Sequence, residues 1–242
     1  MTAAAIVRRW IVVPAAGGGS RFDAATPKQY ADLDGAPVLA RTLDRLAALD
    51  AEAIVVALAS DDLRFDARIG ARRGVVPVRC GGATRAATVR KALQAIASRC
   101  GDDDWILVHD AARPCVPREA LVRLVDTLRD DDVGGLLALP LGETLKRASA
   151  MDDPPRVLRP ESRDGLWLAQ TPQMFRYRLL VAAHARDARG ECTDDAQAVE
   201  ALAATGVCAR PRLVTGSAQN IKITYREDLD LATAILDLQA SS

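Results

Sequence analysis

Several things are scarce in this 242-residue chain, and each scarcity removes a class of function. No apolar run approaches the length of a membrane span, and the first residues, which include Arg8 and Arg9, carry no secretory h-region or cleavage signal. A soluble, cytoplasmic protein is expected. Charge of either sign is not in excess, with 32 basic and 32 acidic residues, so no global field draws the chain to nucleic acid or to an anionic membrane. Any anion site must be local. The five cysteines, Cys80, Cys100, Cys115, Cys192 and Cys208, are odd in number, dispersed and without a C-x-x-C pair, which argues against a disulfide framework and a zinc site. Histidine is limited to His109 and His184, leaving little for a His-based metal centre, and no G-x-S-x-G elbow is present.

What is present begins near the N-terminus. The apolar run Ile11–Val13 breaks into PAAGGGSRF and then reaches TPKQY. A buried strand ending in glycines, with Arg21 and Lys28 close behind, has the chemistry of a polyphosphate cradle: the turn exposes backbone N–H groups and the cations neutralise charge. Taken alone, the same segment also fits an ordinary strand-to-helix turn. It is not a P-loop, because Gly19 is followed by Ser20 and Arg21 rather than by Lys and a hydroxyl. Nor is it a dinucleotide fingerprint, because Gly17 and Gly19 are followed by Phe22 where the third glycine belongs.

Strand-like and helix-like segments alternate, which argues for an α/β fold. Strands are expected at Ile11–Val13, Ala53–Leu58, Val75–Arg79, Trp105–His109, Gly135–Leu139, Leu213–Val214 and Ile221–Thr224. Helices are expected at Val38–Ala48, Arg85–Ser98, Glu119–Arg129, Arg178–Ala188, Ala196–Ala204 and Leu229–Leu238. Gly142 to Gly165 breaks the rhythm with Pro154, Pro155, Pro160 and a set of cations, and reads as an excursion from the core: a lid, a binding arm or a solvated loop.

Five further segments offer chemistry. WILVHDAARP ends a strand at Asp110, in the crevice where α/β sheets bind ligands. A lone carboxylate there suits Mg²⁺ completed by phosphate and water, with Arg113 as a phosphate fork; a structural Asp110–Arg113 ion pair fits equally. GGATRAATV places Gly81, Gly82 and Ala83 in a turn, Thr84 as a helix cap and the Thr88 hydroxyl within reach of a base edge. QNIKIT alternates so that Lys222 and Thr224 share a face. Thr171 opens TPQMF, and Thr193 opens TDDA, whose acidic pair favours a helix N-terminus.

PAAGGGSRF, TPKQY, VHDAARP, LKR, RDGLW, TPQ, TDDA and NIKIT occur in the order and approximate spacing of the 2-C-methyl-D-erythritol 4-phosphate cytidylyltransferases, which the chain resembles from Trp10 to Leu238. The resemblance implies a single nucleotidyltransferase domain over residues 1–242. Its fold would be α/β, of the Rossmann-like nucleotide-diphospho-sugar-transferase type. A mixed, mostly parallel sheet would be flanked by helices, and a β-arm at 142–165 would cross to the partner of a homodimer. It further implies transfer of CMP from CTP to methylerythritol phosphate with release of pyrophosphate, aided by Mg²⁺ or another divalent cation. Ala15, Ala16, Gly17, Gly19, Arg21 and Lys28 would hold CTP, with Gly81, Gly82, Ala83 and Thr88 around the cytosine and Asp110 on the metal. Arg113, Thr171, Thr193 and Lys222 would surround the acceptor phosphate, with Thr224 assisting, and Thr144 and Arg163 would arrive from the neighbouring subunit. Arg21, Lys28 and Lys222 would be the catalytic cations. Ala83 departs from the family's acidic residue in the base turn. Alternatives are a cytidylyltransferase for another polyol phosphate such as ribitol 5-phosphate, a sugar-1-phosphate nucleotidyltransferase, and a CTP-binding regulatory module without turnover.

Overall fold

The computed structural model describes residues 7–18, 22, 26–149, 153–187 and 189–241. Its strands are β1 (Arg9–Pro14), β2 (Asp32–Leu33), β3 (Ala36–Pro37), β4 (Ala53–Ala57), β5 (Val75–Val78), β6 (Trp105–Val108), β7 (Gly134–Pro140), β8 (Leu145–Ala148), β9 (Val157–Glu161), β10 (Trp167–Arg176) and β11 (Arg212–Thr215). Its helices are α1 (Val38–Leu46), α2 (Arg64–Arg68), α3 (Arg85–Ala95), α4 (Arg118–Leu128), α5 (Tyr177–Arg186), α6 (Asp195–Ala203) and α7 (Asp228–Ala240), with a 3₁₀ turn at Lys28–Tyr30.

Seven strands form one sheet in the order β11-β7-β10-β6-β1-β4-β5. The pairs β1–β4, β1–β6, β4–β5 and β7–β11 are parallel, while β10 runs antiparallel to both β6 and β7. This is the mixed, mostly parallel α/β sheet expected. Continuous apolar runs make the inner strands: every residue of β4 and β6 is buried, as sheets covered on both faces require. One face packs Trp10, Val12, Val55, Ile106 and Phe175 against α3, α5 and α6. The other packs Ile11, Val13, Val56, Leu107 and Met174 against α1 and α4.

Two sequence expectations fail here. Ile221–Thr224 forms no strand; it is fixed by Ile223, which is fully buried and donates its N–H to the Ala112 carbonyl at 2.9 Å. Meanwhile β10, with Pro172 in it, was not expected as a strand. Pro172 is accommodated because the β10–β7 register shifts between Ala169 and Gln173, so that β10 advances from 169 to 173 while β7 moves only from Ala138 to Leu136.

The 142–165 segment contains the antiparallel hairpin β8–β9, a sheet of its own. Glu161 is paired with Arg159 at 2.8 Å and with Arg147, and Val157 and Leu158 are 65% and 64% exposed. Among the described residues no helix is long and apolar enough to cross a membrane, and all five cysteines are free.

Candidate active site

Parallel strands deliver their C-terminal ends to one edge of the sheet, and the candidate site lies there. At the end of β1, Ala15 donates its N–H to the Ala57 carbonyl at 2.8 Å, so the Pro14–Gly18 loop starts from a fixed point. Gln29, which is buried, donates its side-chain amide to the carbonyls of Ala15 (2.9 Å) and Gly17 (3.0 Å). The loop's carbonyls are thereby engaged from behind. Gly19 and Arg21 lie outside the described residues.

The Gly81–Thr84 turn closes over this loop. A Cβ on Gly81 would stand 2.6 Å from the Ala16 Cβ and 2.9 Å from the Leu58 carbonyl oxygen, so only glycine permits the approach. Thr84 caps α3 as expected, accepting the Ala87 N–H at 3.1 Å. Thr88 is buried, and its hydroxyl accepts from Gly82 N (3.0 Å) while donating to the Thr84 carbonyl (3.0 Å). It shapes the turn. Ala83 is exposed at the tip.

At the end of β6, Asp110 is 8% exposed and is surrounded by cations. Lys222 Nζ lies 2.9 Å from Oδ2, Arg85 Nε 3.0 Å from Oδ1 and Arg113 Nε 3.5 Å from Oδ2. Burial pushes this carboxyl up, but Arg85, Lys222 and Arg113 outweigh it and hold the group far below the usual carboxylate range. Asp110 is ionised at any working pH. The structural ion pair of Asp110 and Arg113 is present, and the carboxylate also lines the crevice.

The antiparallel register places Gln173 opposite Val108, which carries Thr171 opposite Asp110. The Thr171 hydroxyl accepts from Asp110 N at 3.0 Å and lies 3.1 Å from His109 Nδ1. With that hydroxyl donating to Nδ1, His109 Nε2 donates to the Arg113 carbonyl at 3.1 Å. Burial lowers the His109 pKa to about 4, so the imidazole is neutral. Thr171, only 4% exposed, thus holds the Asp110 backbone while lining the second of the two cavities at this edge. Asn220 completes the wall: its amide donates to the Thr171 carbonyl (2.8 Å), and its own carbonyl accepts from Arg113 Nη1 (2.6 Å).

Two cavities open on this wall. The first is lined by Pro14, Ala15, Gly17, Lys28, Gln29 and Ala111 among others. The second is lined by Arg113, Gln170, Thr171, Gln173, Thr193 and Asp194. Arg85, Asp110 and Lys222 line both. Lys28 donates from Nζ to the Ile223 carbonyl at 2.9 Å, tying the first cavity to the segment that carries Lys222.

Other expected residues sit differently. The cap of α6 is Asp194, accepting from Gln197 N at 2.8 Å; Thr193 instead donates its N–H and hydroxyl to the Gln197 side chain. The Thr224 hydroxyl turns back to the Lys222 carbonyl (3.1 Å), and its N–H is held by Asp228 (2.7 Å). Thr144 and Arg163 stand at the base of the hairpin, exposed, with Arg163 donating to the Gly142 carbonyl, and line neither cavity. Arg85, Gln29, Gln170 and Asn220 were not singled out in the sequence. One signal for Arg85 was available: a cation in the first turn of a helix opposes the macrodipole and calls for a nearby anion.

A divalent cation at Asp110 must take most of its ligands from elsewhere, since the described residues contain no cluster of three His, Cys, Asp or Glu side chains. One ionised carboxylate beside a cation-lined crevice fits Mg²⁺ completed by phosphate oxygens and water, and does not fit an all-protein cage.

Comparison with known proteins agrees with the geometry. The family model described as IspD, 2-C-methyl-D-erythritol 4-phosphate cytidylyltransferase, matches residues 10–238. A protein of that name from Laribacter hongkongensis is 53% identical over 230 residues, spanning 94% of this chain and 95% of the relative. A crystal structure of a 4-diphosphocytidyl-2C-methyl-D-erythritol synthase is 35% identical, with a TM-score of 0.82 over 97% of this chain and 100% of that one. The enzyme of Thermus thermophilus gives 32% identity and a TM-score of 0.73 over 96% and 100%. The chain belongs to the 2-C-methyl-D-erythritol 4-phosphate cytidylyltransferase family.

Proposed function

We propose that this protein transfers the cytidylyl group of CTP to 2-C-methyl-D-erythritol 4-phosphate, releasing pyrophosphate, in non-mevalonate isoprenoid biosynthesis. The observation that carries the reading beyond family membership is the pair of cavities meeting at Arg85, Asp110 and Lys222. A reaction between two phosphate-bearing substrates needs two polar compartments with one shared, cation-rich wall, and a nucleotide sensor needs only one.

The triphosphate occupies the cavity beside Lys28 and the Pro14–Gly18 loop, and the acceptor phosphate the cavity beside Arg113 and Thr193. An acceptor oxygen attacks the α-phosphorus in line; the new P–O bond forms as the bond to the β-phosphate breaks, and pyrophosphate departs with the electron pair. No protein nucleophile is required. Lys222, 2.9 Å from Asp110 and 40% exposed, supplies positive charge where two polyanions meet. Lys28 does the same on the triphosphate side; Gly19 and Arg21, outside the described residues, are assigned to that substrate by the family resemblance alone. A divalent cation on Asp110, when bound, neutralises charge developing on the phosphate oxygens. Gly81, Gly82 and Ala83 face the base, with Thr88 shaping their turn.

The hairpin β8–β9 is the dimerisation arm. Its exposed Val157 and Leu158 supply the apolar surface, and Thr144 and Arg163 reach a partner's acceptor cavity from its base.

The test is pyrophosphate release from CTP by the purified protein with methylerythritol phosphate or ribitol 5-phosphate as acceptor. Release dependent on methylerythritol phosphate is expected. A strong preference for the ribitol compound overturns the acceptor, and CTP binding without release under either overturns the catalytic reading.

A further inference from the structure

Behind the wall formed by Arg85, Asp110 and Lys222 lies a buried pair, Asp195 and His184, that the cytidylyl-transfer scheme leaves unused. Asp195 is fully buried at the first position of α6, and Arg85 occupies the first position of α3. Arg85 Nη1 stands 2.9 Å from Asp195 Oδ2, while Arg85 Nε stands 3.0 Å from Asp110 Oδ1. On the far side, His184 of α5, 1% exposed, is hydrogen-bonded through Nε2 to Asp195 Oδ1 at 2.9 Å. The sequence His184–Asp195–Arg85–Asp110 is thus one continuous chain of contacts, from the interior of the α5–α6 layer to the wall between the cavities.

Such a chain is expensive if its only task is to join helices. Removing ions from water costs several kcal/mol each, and a hydrophobic contact joins α3 to α6 more favourably. Arg85 also sits at the positive end of its own helix, which disfavours it further, whereas Asp195 at the first turn of α6 is favoured. What an arginine supplies that an apolar residue or a lysine does not is a planar fork able to grip two carboxylates in fixed directions. One edge of the fork is pinned by Asp195, and the other is thereby fixed against Asp110. Gln173 locks the start of α6 as well, accepting from Ala196 N at 2.7 Å and donating to Asp194 at 2.9 Å, so the pin is itself anchored to β10.

We propose that Arg85 is a positioning residue for the transfer reaction: braced by the buried Asp195–His184 pair, its guanidinium fixes the rotamer of the Asp110 carboxylate at the wall shared by the two cavities. The inference rests on the reading of Asp110 as the carboxylate that meets metal and phosphates. Arg85 touches no reacting atom. Its contribution is direction, in that a carboxylate held on Oδ1 by Arg85 turns Oδ2 to the side where Lys222 and Arg113 meet it.

Arg85→Lys keeps the charge and loses the fork, and Asp195→Asn keeps the volume and loses the pin. Each variant is expected to lower kcat about a hundred-fold, the scale of an ångström-sized misplacement, with KM for CTP changed by less than about three-fold. Arg85→Lys/Asp195→Asn together should be no slower than Arg85→Lys alone within a factor of about three, since the two residues act as one unit. Binding of Mn²⁺ in the presence of CTP, followed by electron paramagnetic resonance, should weaken about ten-fold in Arg85→Lys, a readout independent of turnover. Should Asp195→Asn not fold, His184→Gln takes its place, and a fall in kcat of about ten-fold is expected. Folded Arg85→Lys with wild-type kcat and wild-type Mn²⁺ affinity, or losses that multiply in the double variant, overturns the proposal. Wild-type protein that releases no pyrophosphate overturns the proposed function instead, while the Mn²⁺ titration still reports on Arg85.

Discussion

Asp110→Asn separates two things that the same carboxylate does, and the structure sets their opposite signs. Three cations, Arg85, Arg113 and Lys222, surround one carboxylate, so the cluster carries +3 −1 = +2, and the substitution raises it to +3 without changing shape. A phosphate about 6 Å away, at an effective dielectric constant of about 20–40, gains about 1.5–3 kcal/mol from the lost negative charge. Lys222 is 40% exposed and the crevice is open, so screening places the expected gain at the lower end, about ten-fold in affinity. Metal-free pyrophosphate should therefore bind Asp110→Asn more tightly than wild type, and the gain should shrink as salt is added. Turnover with Mg²⁺ should move the other way, falling about a hundred- to a thousand-fold as the anchored metal is lost. Calorimetric titration with pyrophosphate in the presence of a chelator measures the first effect, and acceptor-dependent pyrophosphate release measures the second. Loss of metal-free pyrophosphate affinity in a folded Asp110→Asn protein refutes the reasoning, because Asp110 would then organise the cations more than it offsets them.

Other expectations follow from particular contacts. His109 is neutral in the fold with a pKa of about 4, against about 6.5 unfolded, so the unfolded chain binds more protons between those values. Stability is complete above about pH 6.5 and falls by about 3 kcal/mol as the pH drops to about 4; denaturant unfolding of wild type minus His109→Asn across that window should show the slope, and a pH-independent difference would sink the assignment. Gly81→Ala puts a methyl 2.6 Å from the Ala16 Cβ and should cost about 1–3 kcal/mol and weaken CTP binding, whereas Gly142→Ala, with nothing within 4 Å, should be close to neutral. Equal melting temperatures of the two alanine variants would contradict this. Leu158→Asp, on the exposed arm, should shift the protein towards monomer in sedimentation velocity, and an unchanged oligomer would remove the arm from the interface.

The layered fold was legible because the buried strands are apolar without interruption and the helices between them are periodic. β10 was not, since Pro172 and the polar residues around it, Gln170, Thr171 and Gln173, contradict strand chemistry locally, and the register shift against β7 accommodates the proline. Within the site, Lys28, Asp110, Arg113 and Lys222 were readable as a group because a polyphosphate demands cations and a metal demands a carboxylate. The hydroxyls of Thr88, Thr171 and Thr224 were read as ligand contacts, and in the fold each also bonds to the protein itself: Thr88 to the Thr84 carbonyl, Thr171 to Asp110 N and His109, and Thr224 to the Lys222 carbonyl. That outcome depends on which carbonyls and N–H groups lie opposite, and spacing along the chain does not encode it. Arg85 and Asp195 are 110 residues apart in sequence; each looks like an ordinary surface charge until the sheet brings α3 and α6 together.

β10 carries one more implication. Its first residues, Trp167 and Leu168, emerge at the foot of the arm, and Thr171, three residues beyond Leu168, grips the backbone of Asp110. No glycine interrupts the strand between them. The arm and the Asp110 backbone are thus joined by one short stretch of β10, the stretch in which its register shifts against β7. Injury to the arm should accordingly register as lost turnover in a protein whose melting curve is intact.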